Sequence, residues 1–175
     1  MSDPTTFISI DAETNGLGGR AFAVALTLND ADGELSNALL RCPIDGHIDE
    51  WVAENVLPAI ADLPENLDEY SDLVDLVHMT IEQWGGKALP LVAHVAWPVE
   101  ARLLLDVYSG ERIWDGPYPL VDVASVLLAK GFDPLTVDGY LANHDLRAPS
   151  GSPHHPLYDA RAAATCYRHL MGSDR

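Results

Sequence analysis

The chain lacks the features that mark a membrane protein, a secreted protein or a disulfide-rich scaffold. No apolar run in its 175 residues approaches the roughly 20 residues that span a bilayer, so we expect no membrane partner. Its first residues do not combine a basic stretch with an apolar one, which predicts no secretory signal and a cytoplasmic location. Only Cys42 and Cys166 are present, without metal-site spacing. They are expected to be reduced structural thiols, although the sequence leaves a disulfide between them open.

Basic residues are also scarce. The 10 lysines and arginines face 27 aspartates and glutamates, and the formal net charge is −17. This balance argues against tight, nonspecific binding to long nucleic acids, which requires many phosphates to be neutralised by the protein. It does not exclude a nuclease that grips one or two terminal nucleotides, because bound metal ions can supply the positive charge. The alternative is that the acidity serves only solubility.

What the sequence does contain predicts one α/β domain over residues 1–175. Hydrophobic residues make up 47% of the chain, enough for a sizeable core. Three strands, separated by turn residues, are followed by helical patterns that alternate with two short strands, which indicates a mixed five-stranded sheet flanked by helices. We predict strands over 5–10, 21–28, 35–41, 89–93 and 120–121, helices over 48–60, 67–84, 98–108, 122–130, 134–142 and 157–171, and a loop over 143–153.

The first chemical motif is a pair of acids at the end of the first strand. Asp11 and Glu13 are two residues apart, so the period of a strand points both side chains to one face. A solvent-facing strand end is the competing interpretation, since Asp-x-Glu is common. The next residues, Thr14, Asn15, Gly16 and Leu17, form a turn that Gly16 allows to be tight, and its backbone amides are candidates for nucleotide contact.

Two further patches carry carboxylates near predicted helix starts. His154 and Asp159 are separated by four residues, a spacing that lets both side chains reach one pocket, and a neutral histidine there can accept a proton from water. Helix-dipole stabilisation alone would account for Asp159 but not for His154. Glu100 follows an apolar strand and opens a helix, where the dipole is again the simpler explanation of its position.

Taken together, the patches predict a metal site. Asp11, Glu13, Glu100 and Asp159 would repel one another if they converged without a cation between them. Hard oxygen ligands of this kind suit Mg²⁺ or Mn²⁺. The combination predicts a metal-dependent hydrolase that acts on a phosphodiester.

Four other residues receive less specific expectations. Trp97 follows a buried strand, so a core position is favoured over base stacking. His94 is expected to be a structural histidine rather than a substrate contact. For Arg161, phosphate binding and simple solvent exposure both stay open. Cys166, on the last helix, is expected to pack in the core.

The motifs resemble those of the DnaQ-like 3′–5′ exonucleases of the DEDDh group, which have a ribonuclease-H-like fold. IDAETNGL (10–17) is similar to the first motif of that family, and HHPLYDARA (154–162) to its third, including the His-x4-Asp spacing. The resemblance covers nearly the whole chain, because the order of strands and helices also fits. The segment WVAENVLP (51–58) is similar to small exoribonucleases of mycobacteria and phages.

The second motif departs from the family pattern. The family usually has Asp after His-Asn-Ala-x-Phe, whereas HVAWPVE (94–100) offers Glu100, one residue later. The oligoribonuclease branch has this longer spacing, so Glu100 is the preferred candidate although its carboxylate reaches about one methylene further. Asp106 and Asp122 are the alternatives.

The resemblance implies a 3′–5′ exonuclease that releases nucleoside monophosphates from single-stranded DNA or RNA. Asp11, Glu13, Glu100 and Asp159 would hold two Mg²⁺ or Mn²⁺ ions, His154 would be the general base, and residues 14–17 would bind the terminal nucleotide, with Leu17 against its base. Small enzymes of this kind are often homodimers. Two rivals remain: a catalytically weakened nucleic-acid-binding or adaptor domain on the same fold, and a phosphodiesterase for dinucleotides.

Overall fold

The computed structural model describes residues 6–109 and 114–172, which form one mixed five-stranded sheet with helices packed on it. The strands are β1 (Phe7–Thr14), β2 (Ala21–Asn29), β3 (Glu34–Arg41), β4 (Leu91–Ala93) and β5 (Leu120–Asp122). The helices are α1 (Glu50–Asn55), α2 (Tyr70–Trp84), α3 (Val99–Val107), α4 (Val123–Ala129), α5 (Val137–Asn143) and α6 (Pro156–Gly172). Among these residues, no helix is both long and apolar enough to cross a bilayer.

The strand order is β3-β2-β1-β4-β5, with antiparallel pairing from β3 to β1 and parallel pairing from β1 to β5. This confirms the predicted mixed sheet. The hairpins β1–β2 and β2–β3 need only short turns, whereas parallel β4 and β5 need crossovers, which α2 and α3 provide. The first strand therefore lies at the centre of the sheet.

The residues of β1 alternate between two hydrophobic clusters. Ile8, Ile10 and Ala12 belong to the cluster formed with α2 and α3, whereas Phe7 belongs to the cluster formed with α4, α5 and α6. The hydroxyl of Ser9 donates to the carbonyl of Ala160 in α6, at 2.8 Å. Because side chains alternate along a strand, the odd-numbered residues of β1 face α6.

The structure extends the first strand beyond its predicted end. The sequence predicted that it stops at residue 10, but β1 continues to Thr14 because β2 pairs with it throughout. Asp11 lies opposite Ala25, and Glu13 lies opposite Ala23. Cross-strand partners share a face of the sheet, so these two small side chains leave room for the carboxylates.

The first helix is shorter than predicted. Its apolar spacing predicted a helix over 48–60 that ends or kinks before Pro58, and α1 does end before this residue, at Asn55, where turns follow. Val56 and Ile60 are nevertheless buried, as their spacing predicted.

Both cysteines are buried free thiols, as expected. Cys42 packs in the α2–α3 cluster and Cys166 in the α4–α6 cluster, so the alternative of a disulfide between them is not realised.

Candidate functional site

The far end of β1 projects two carboxylates toward α6. Asp11 and Glu13 share the face of Phe7 and Ser9, and both are partly exposed. The parallel partner β4 pairs only with Ile8 and Ser9, so the sheet opens between the two strands beyond that point. The opening is the floor of the site.

Glu100 reaches this opening from the first turn of α3. One carboxylate oxygen, Oε1, accepts a hydrogen bond from the backbone N–H of Ala12 at 3.3 Å. That N–H is unpaired in the sheet because β4 has already ended. The other oxygen, Oε2, is buried and has no hydrogen-bond partner within the part of the chain that the structure describes. A buried carboxylate oxygen without a partner is costly unless a cation or another ligand approaches it.

Asp159 comes from the first turn of α6. The Ala160 carbonyl contacts Ser9, and Ala160 is fully buried, so the small side chain lets the helix backbone lie close to β1. Asp159 thereby lies beside Asp11 and Glu13. Its Oδ2 accepts from the backbone N–H of His154 at 2.8 Å, which ties the preceding loop to the helix start.

His154 is held in a left-handed backbone conformation, with φ of 66°. Such a conformation is uncommon outside glycine, and at functional sites it is maintained by the surrounding contacts. Here the contacts are the bond to Asp159 and an edge-to-face arrangement with the Trp51 ring, whose centroid is 5.2 Å from that of the imidazole. The backbone of His154 is thus fixed by Asp159, and its imidazole packs against Trp51.

His155 has a different environment. Its Nδ1 accepts from the backbone N–H of Leu157 at 3.3 Å, and its carbonyl accepts from that of Asp159 at 3.1 Å. Both bonds belong to the first turn of α6. The structure therefore gives His155 a role in starting the helix and directs His154 to the carboxylates.

These groups line one cleft of about 630 Å³. It contains every predicted catalytic and metal-binding residue, together with Thr14, Gly16 and Leu17. Its lining is acidic and, among the described residues, includes no lysine or arginine. Exposed apolar side chains form its rim: Leu17, Trp51, Val95, Trp97 and Leu135.

The electrostatics of the cleft are those of crowded carboxylates. Burial and the charges of Asp159, Glu100 and Glu13 raise the pKa of Asp11 well above its usual value. Burial, with the charges of Asp159 and Glu100, raises the pKa of Glu13 to about 8. Burial also raises the pKa of Glu100 and that of Asp159 to about 7. Each carboxylate disfavours ionisation of its neighbours, which is the electrostatic setting that a cation relieves.

The donor set fits a divalent cation. Ligand atoms of Glu13, His154 and Asp159 all lie within 4.8 Å of one another, close enough to surround one ion. The unpartnered Oε2 of Glu100 adds an oxygen that a cation would satisfy. Carboxylate oxygens dominate the set, which favours Mg²⁺ or Mn²⁺ over a thiolate-preferring metal.

Of the four residues predicted to bind the substrate at the end of β1 and in the following turn, three line the cleft and one does not. Thr14, Gly16 (φ 73°) and Leu17 line the cleft, and the side chain of Leu17 is 72% exposed. The amide of Asn15 is instead engaged by the segment before α1: Nδ2 donates to the carbonyl of His47, and Oδ1 accepts from the N–H of Asp49, both at 2.8 Å. Asn15 therefore shapes the turn from outside the cleft lining.

Neither alternative to Glu100 reaches the cleft lining in the described residues. Asp106 accepts from the hydroxyl of Tyr70 at 2.6 Å on the outer side of α3. Asp122 caps α4 through Ser125 and accepts from the N–H of Ala96 at 3.3 Å. Both carboxylates are thus committed to local structure.

The structure corrects the expectation for Trp97 and gives Arg161 an ion-pair partner. Trp97 was expected in the core, but its side chain is 70% exposed on the cleft rim, because the chain turns outward between β4 and α3. Arg161 forms a two-bond ion pair with Glu34, at 2.7 and 2.9 Å. His94 has the hydrogen-bond partner expected of a structural histidine, since its Nε2 is 3.0 Å from the carbonyl oxygen of Pro134 and burial lowers its pKa, but it also lines the cleft.

Two rim residues were missed by sequence reasoning. Trp51 was noted only as part of a family-like segment, and nothing in its helical pattern indicates contact with His154, 103 positions away. Leu135 gives no local signal, since it falls in the predicted helix over 134–142, whereas in the structure it precedes α5. Both reach the cleft through chain crossings that periodicity does not encode.

The sequence matches no protein-family model and no curated protein, but solved structures share its fold. The nuclease domain of 3′hExo, a DEDDh family member bound to rAMP, is 14% identical, with TM-score 0.72, and the match covers 98% of this chain and 94% of that one. S. pombe Pop2p, in a Mg²⁺- and Mn²⁺-bound form, is 11% identical, with TM-score 0.75, covering 96% and 83%. Exonuclease X in complex with 5′-overhanging duplex DNA is 18% identical, with TM-score 0.61, covering 95% and 92%. The predicted fold, a mixed five-stranded sheet flanked by helices, is therefore confirmed as the one that these nuclease structures share.

Proposed function

We propose that this protein is a divalent-metal-dependent 3′–5′ exonuclease that releases nucleoside 5′-monophosphates from single-stranded ends. The observation that carries the proposal is the convergence of Asp11, Glu13, Glu100 and Asp159 in one cleft, with His154 beside them. The shared fold supports it, since proteins with this fold include an exonuclease bound to duplex DNA and a DEDDh nuclease domain bound to rAMP. Pop2p, with the same fold, carries Mg²⁺ and Mn²⁺.

The four carboxylates would hold two Mg²⁺ or Mn²⁺ ions. Ions bound there would lower the pKa of a coordinated water and neutralise charge at the phosphate. Asp11 lines the same cleft, and the charges of the other three acids all raise its pKa, so we expect it to be the shared ligand. Glu100 would contribute the oxygen that is unpartnered in the described residues, while its other oxygen stays bonded to Ala12.

His154 would act as the general base. A neutral imidazole accepts the proton of the attacking water as its oxygen bonds to phosphorus and the bond from phosphorus to the 3′ oxygen breaks. Asp159 holds the backbone of His154 through its bond to the N–H, and Trp51 packs against the ring; together they would keep the imidazole at the carboxylates.

The apolar rim would hold the bases of the substrate. Leu17 lies on the turn that follows the first motif, and Trp97 is exposed on the rim. Stacking on an aromatic ring tolerates any base, so it suits an exonuclease without sequence preference.

A time course on 5′-labelled single-stranded DNA and RNA of matched sequence tests the proposal. With Mn²⁺ or Mg²⁺ we expect a ladder that shortens by one nucleotide from the 3′ end and stops when a chelator is added. Asp11→Asn is the matched inactive control. Internal cleavage, or binding without any release of mononucleotide, would contradict the proposal, and the second result would favour the adaptor alternative.

The dinucleotide phosphodiesterase is the second candidate. The observation in its favour is that the described lining of the cleft contains no lysine or arginine to bind a longer phosphate backbone. Comparing kcat/KM on a dinucleotide with that on a ten-nucleotide strand separates the two candidates, because only the dinucleotide enzyme would lose most of its efficiency on the longer strand.

A further inference from the structure

A second cavity, of about 540 Å³, lies against α6 on the side away from the carboxylates. Three of the chain's ten basic residues line it: Arg147, Arg161 and Arg168. Ser150 and Thr165 add hydroxyl oxygens to its wall. The chain as a whole has a net charge of −17, so this cluster of positively charged guanidinium groups is opposite in sign to the average surface charge.

Two of the arginines are held in place by the β2–β3 hairpin. Arg161 is fixed by its two bonds to Glu34. Arg168 is half-buried, and it donates to the carbonyl of Asp30 at 3.1 Å and to Oδ1 of Asn29 at 3.4 Å. Their orientation is thus set before any ligand arrives, which reduces the entropy lost on binding.

Arg147 completes the group from the loop between α5 and α6. Its side chain is exposed and makes no hydrogen bond or ion pair within residues 6–109 and 114–172. Glu34 is the acid in the lining, and the carboxylate of Asp30 nearby accepts from the N–H groups of Asp32 and Gly33 in the hairpin turn. The guanidiniums therefore outnumber the nearby carboxylates.

We infer that this cavity, the arginine pocket, binds a phosphate group. Guanidinium groups match the geometry of phosphate oxygens and remain charged at any physiological pH. The phosphate can come from two sources. One is a phosphodiester of the strand whose 3′ end lies in the cleft, and for this source the inference rests on the proposed function. The other source is a free phosphate or nucleotide.

The position of the arginine pocket favours the strand. The loop that carries Arg147 and Ser150 in its wall continues to Pro153 and His154 in the cleft. Only two residues lie between Ser150 and Pro153, so the Cα atoms of Ser150 and Pro153 are at most roughly 10 Å apart.

A strand that leaves the cleft along this loop would reach the arginine pocket. On the side of Leu17 it would instead pass Arg20 and Arg102. Arg20 is paired with Asp45, and Arg102 donates to the carbonyl of Gly18.

The test compares the wild type with Arg147→Ala on oligonucleotides of two to ten nucleotides. We expect KM to rise about three- to tenfold for the longer substrates and to stay unchanged for the dinucleotide. The slope of log KM against log salt should fall by about 0.7 for each phosphate of a single strand that the variant no longer neutralises. Lys87→Ala, which removes an exposed charge paired with Asp115 elsewhere, is the matched control and should change neither.

A second measurement does not depend on catalysis. Inorganic phosphate titrated into ¹⁵N-labelled protein should shift the amide signals of residues 147, 148, 150, 165 and 168, and Arg147→Ala should abolish the shifts. If phosphate binds and Arg147→Ala raises KM only for longer substrates, the phosphate recognised is that of the strand. If phosphate binds but KM does not change with substrate length, the ligand is a free anion. If the protein is an active nuclease and shows neither the amide shifts nor the length-dependent KM, the inference is wrong although the proposed function stands. If the protein is not a nuclease, the phosphate titration alone tests the inference.

Discussion

The cleft and the arginine pocket lie on two sides of the same helix and have opposite charge. Asp159 and Ala162 of α6 line the cleft, whereas Arg161, Thr165 and Arg168 line the arginine pocket. The second set follows the i, i+4, i+7 spacing of one helical face. The described lining of the cleft contains no basic side chain, and the arginine pocket contains three.

The difference shows that an average charge is a poor guide to where anions bind. The cleft holds carboxylates whose raised pKa values reflect burial and mutual repulsion, so it needs added cations before it can accept a phosphate. The arginine pocket supplies its own cations, oriented by the hairpin. We therefore expect the two regions to respond in opposite ways to added metal ions, to salt concentration and to pH.

The largest effect is expected for Asp11→Asn. Loss of the carboxylate whose pKa is raised by the other three acids should remove metal-dependent catalysis, with turnover lower by about 10³-fold or more, because metal ions supply several kcal/mol of transition-state stabilisation. Mononucleotide release is the measurement, and circular dichroism is the check on the fold. Turnover within about tenfold of wild type would remove Asp11 from the site.

Glu100 is the most discriminating residue of the cleft. Glu100→Gln should weaken binding of one ion and nearly stop turnover, while Glu100→Asp, with the residue usual in the resembling family, should retain measurable activity. Calorimetric titration of Mn²⁺ into each variant measures the loss. If Glu100 only stabilised the start of α3, the Gln variant would bind both ions normally and lose about 0.3–1 kcal/mol of stability.

The two adjacent histidines provide an internal control. His154→Ala should lower kcat by about 10²- to 10⁴-fold through loss of the general base, with Mn²⁺ affinity changed much less. His155→Ala should affect kcat little, because its contacts are with the first turn of α6. Single-turnover kinetics measures both, and a larger effect at His155 would show that the third motif has been assigned in the wrong register.

A smaller effect is expected on the rim. Trp97→Ala should raise KM by about 5- to 150-fold, corresponding to the roughly 1–3 kcal/mol of one base stacked on an aromatic ring, with little change in the salt dependence of KM. Leu128→Ala, also exposed but outside the cleft lining, is the control. An unchanged KM for Trp97→Ala would assign base binding elsewhere.

The smallest effects concern stability and have opposite signs in the two regions. The pKa of Glu13 is raised from 4.5 to about 8, so its carboxyl destabilises the metal-free fold increasingly as pH rises through that range. Glu13→Gln should therefore raise Tm at pH 8, by about 2–4 °C for each kcal/mol relieved.

Glu34 should behave in the opposite way. Its hydrogen bond and charge pairing with Arg161 lower the pKa of Glu34 below 4.5, so the pair stabilises the fold above that pH and is lost as pH falls through the lowered pKa. Glu34→Gln should cost about 0.2–1 kcal/mol at pH 7 and less in acid. Urea unfolding at pH 8, 7 and 4 measures the free energy of unfolding of both variants. A change of the same sign in both variants would contradict the comparison.

Local patterns in the sequence were sufficient for much of the fold. β-branched and apolar runs predicted the five strands, and local patterns predicted the six helices, all but α1 to within about three residues at each end. The two-residue spacing of Asp11 and Glu13 implied one shared face, and the structure has it. These features depend on neighbours a few positions apart, whose geometry is set by the backbone.

Contacts between distant segments decided the rest. Because β4 ends early, the N–H of Ala12 has no partner in the sheet and donates to Glu100. This contact brings Glu100 into the cleft, rather than Asp106 or Asp122. The exposure of Trp97, the contact of Trp51 with His154 and the joining of Arg147 to Arg161 and Arg168 likewise depend on how loops cross the sheet. No periodicity encodes such crossings, because their free energy comes from burial and hydrogen bonding between segments that are remote in sequence and become neighbours only when the core packs.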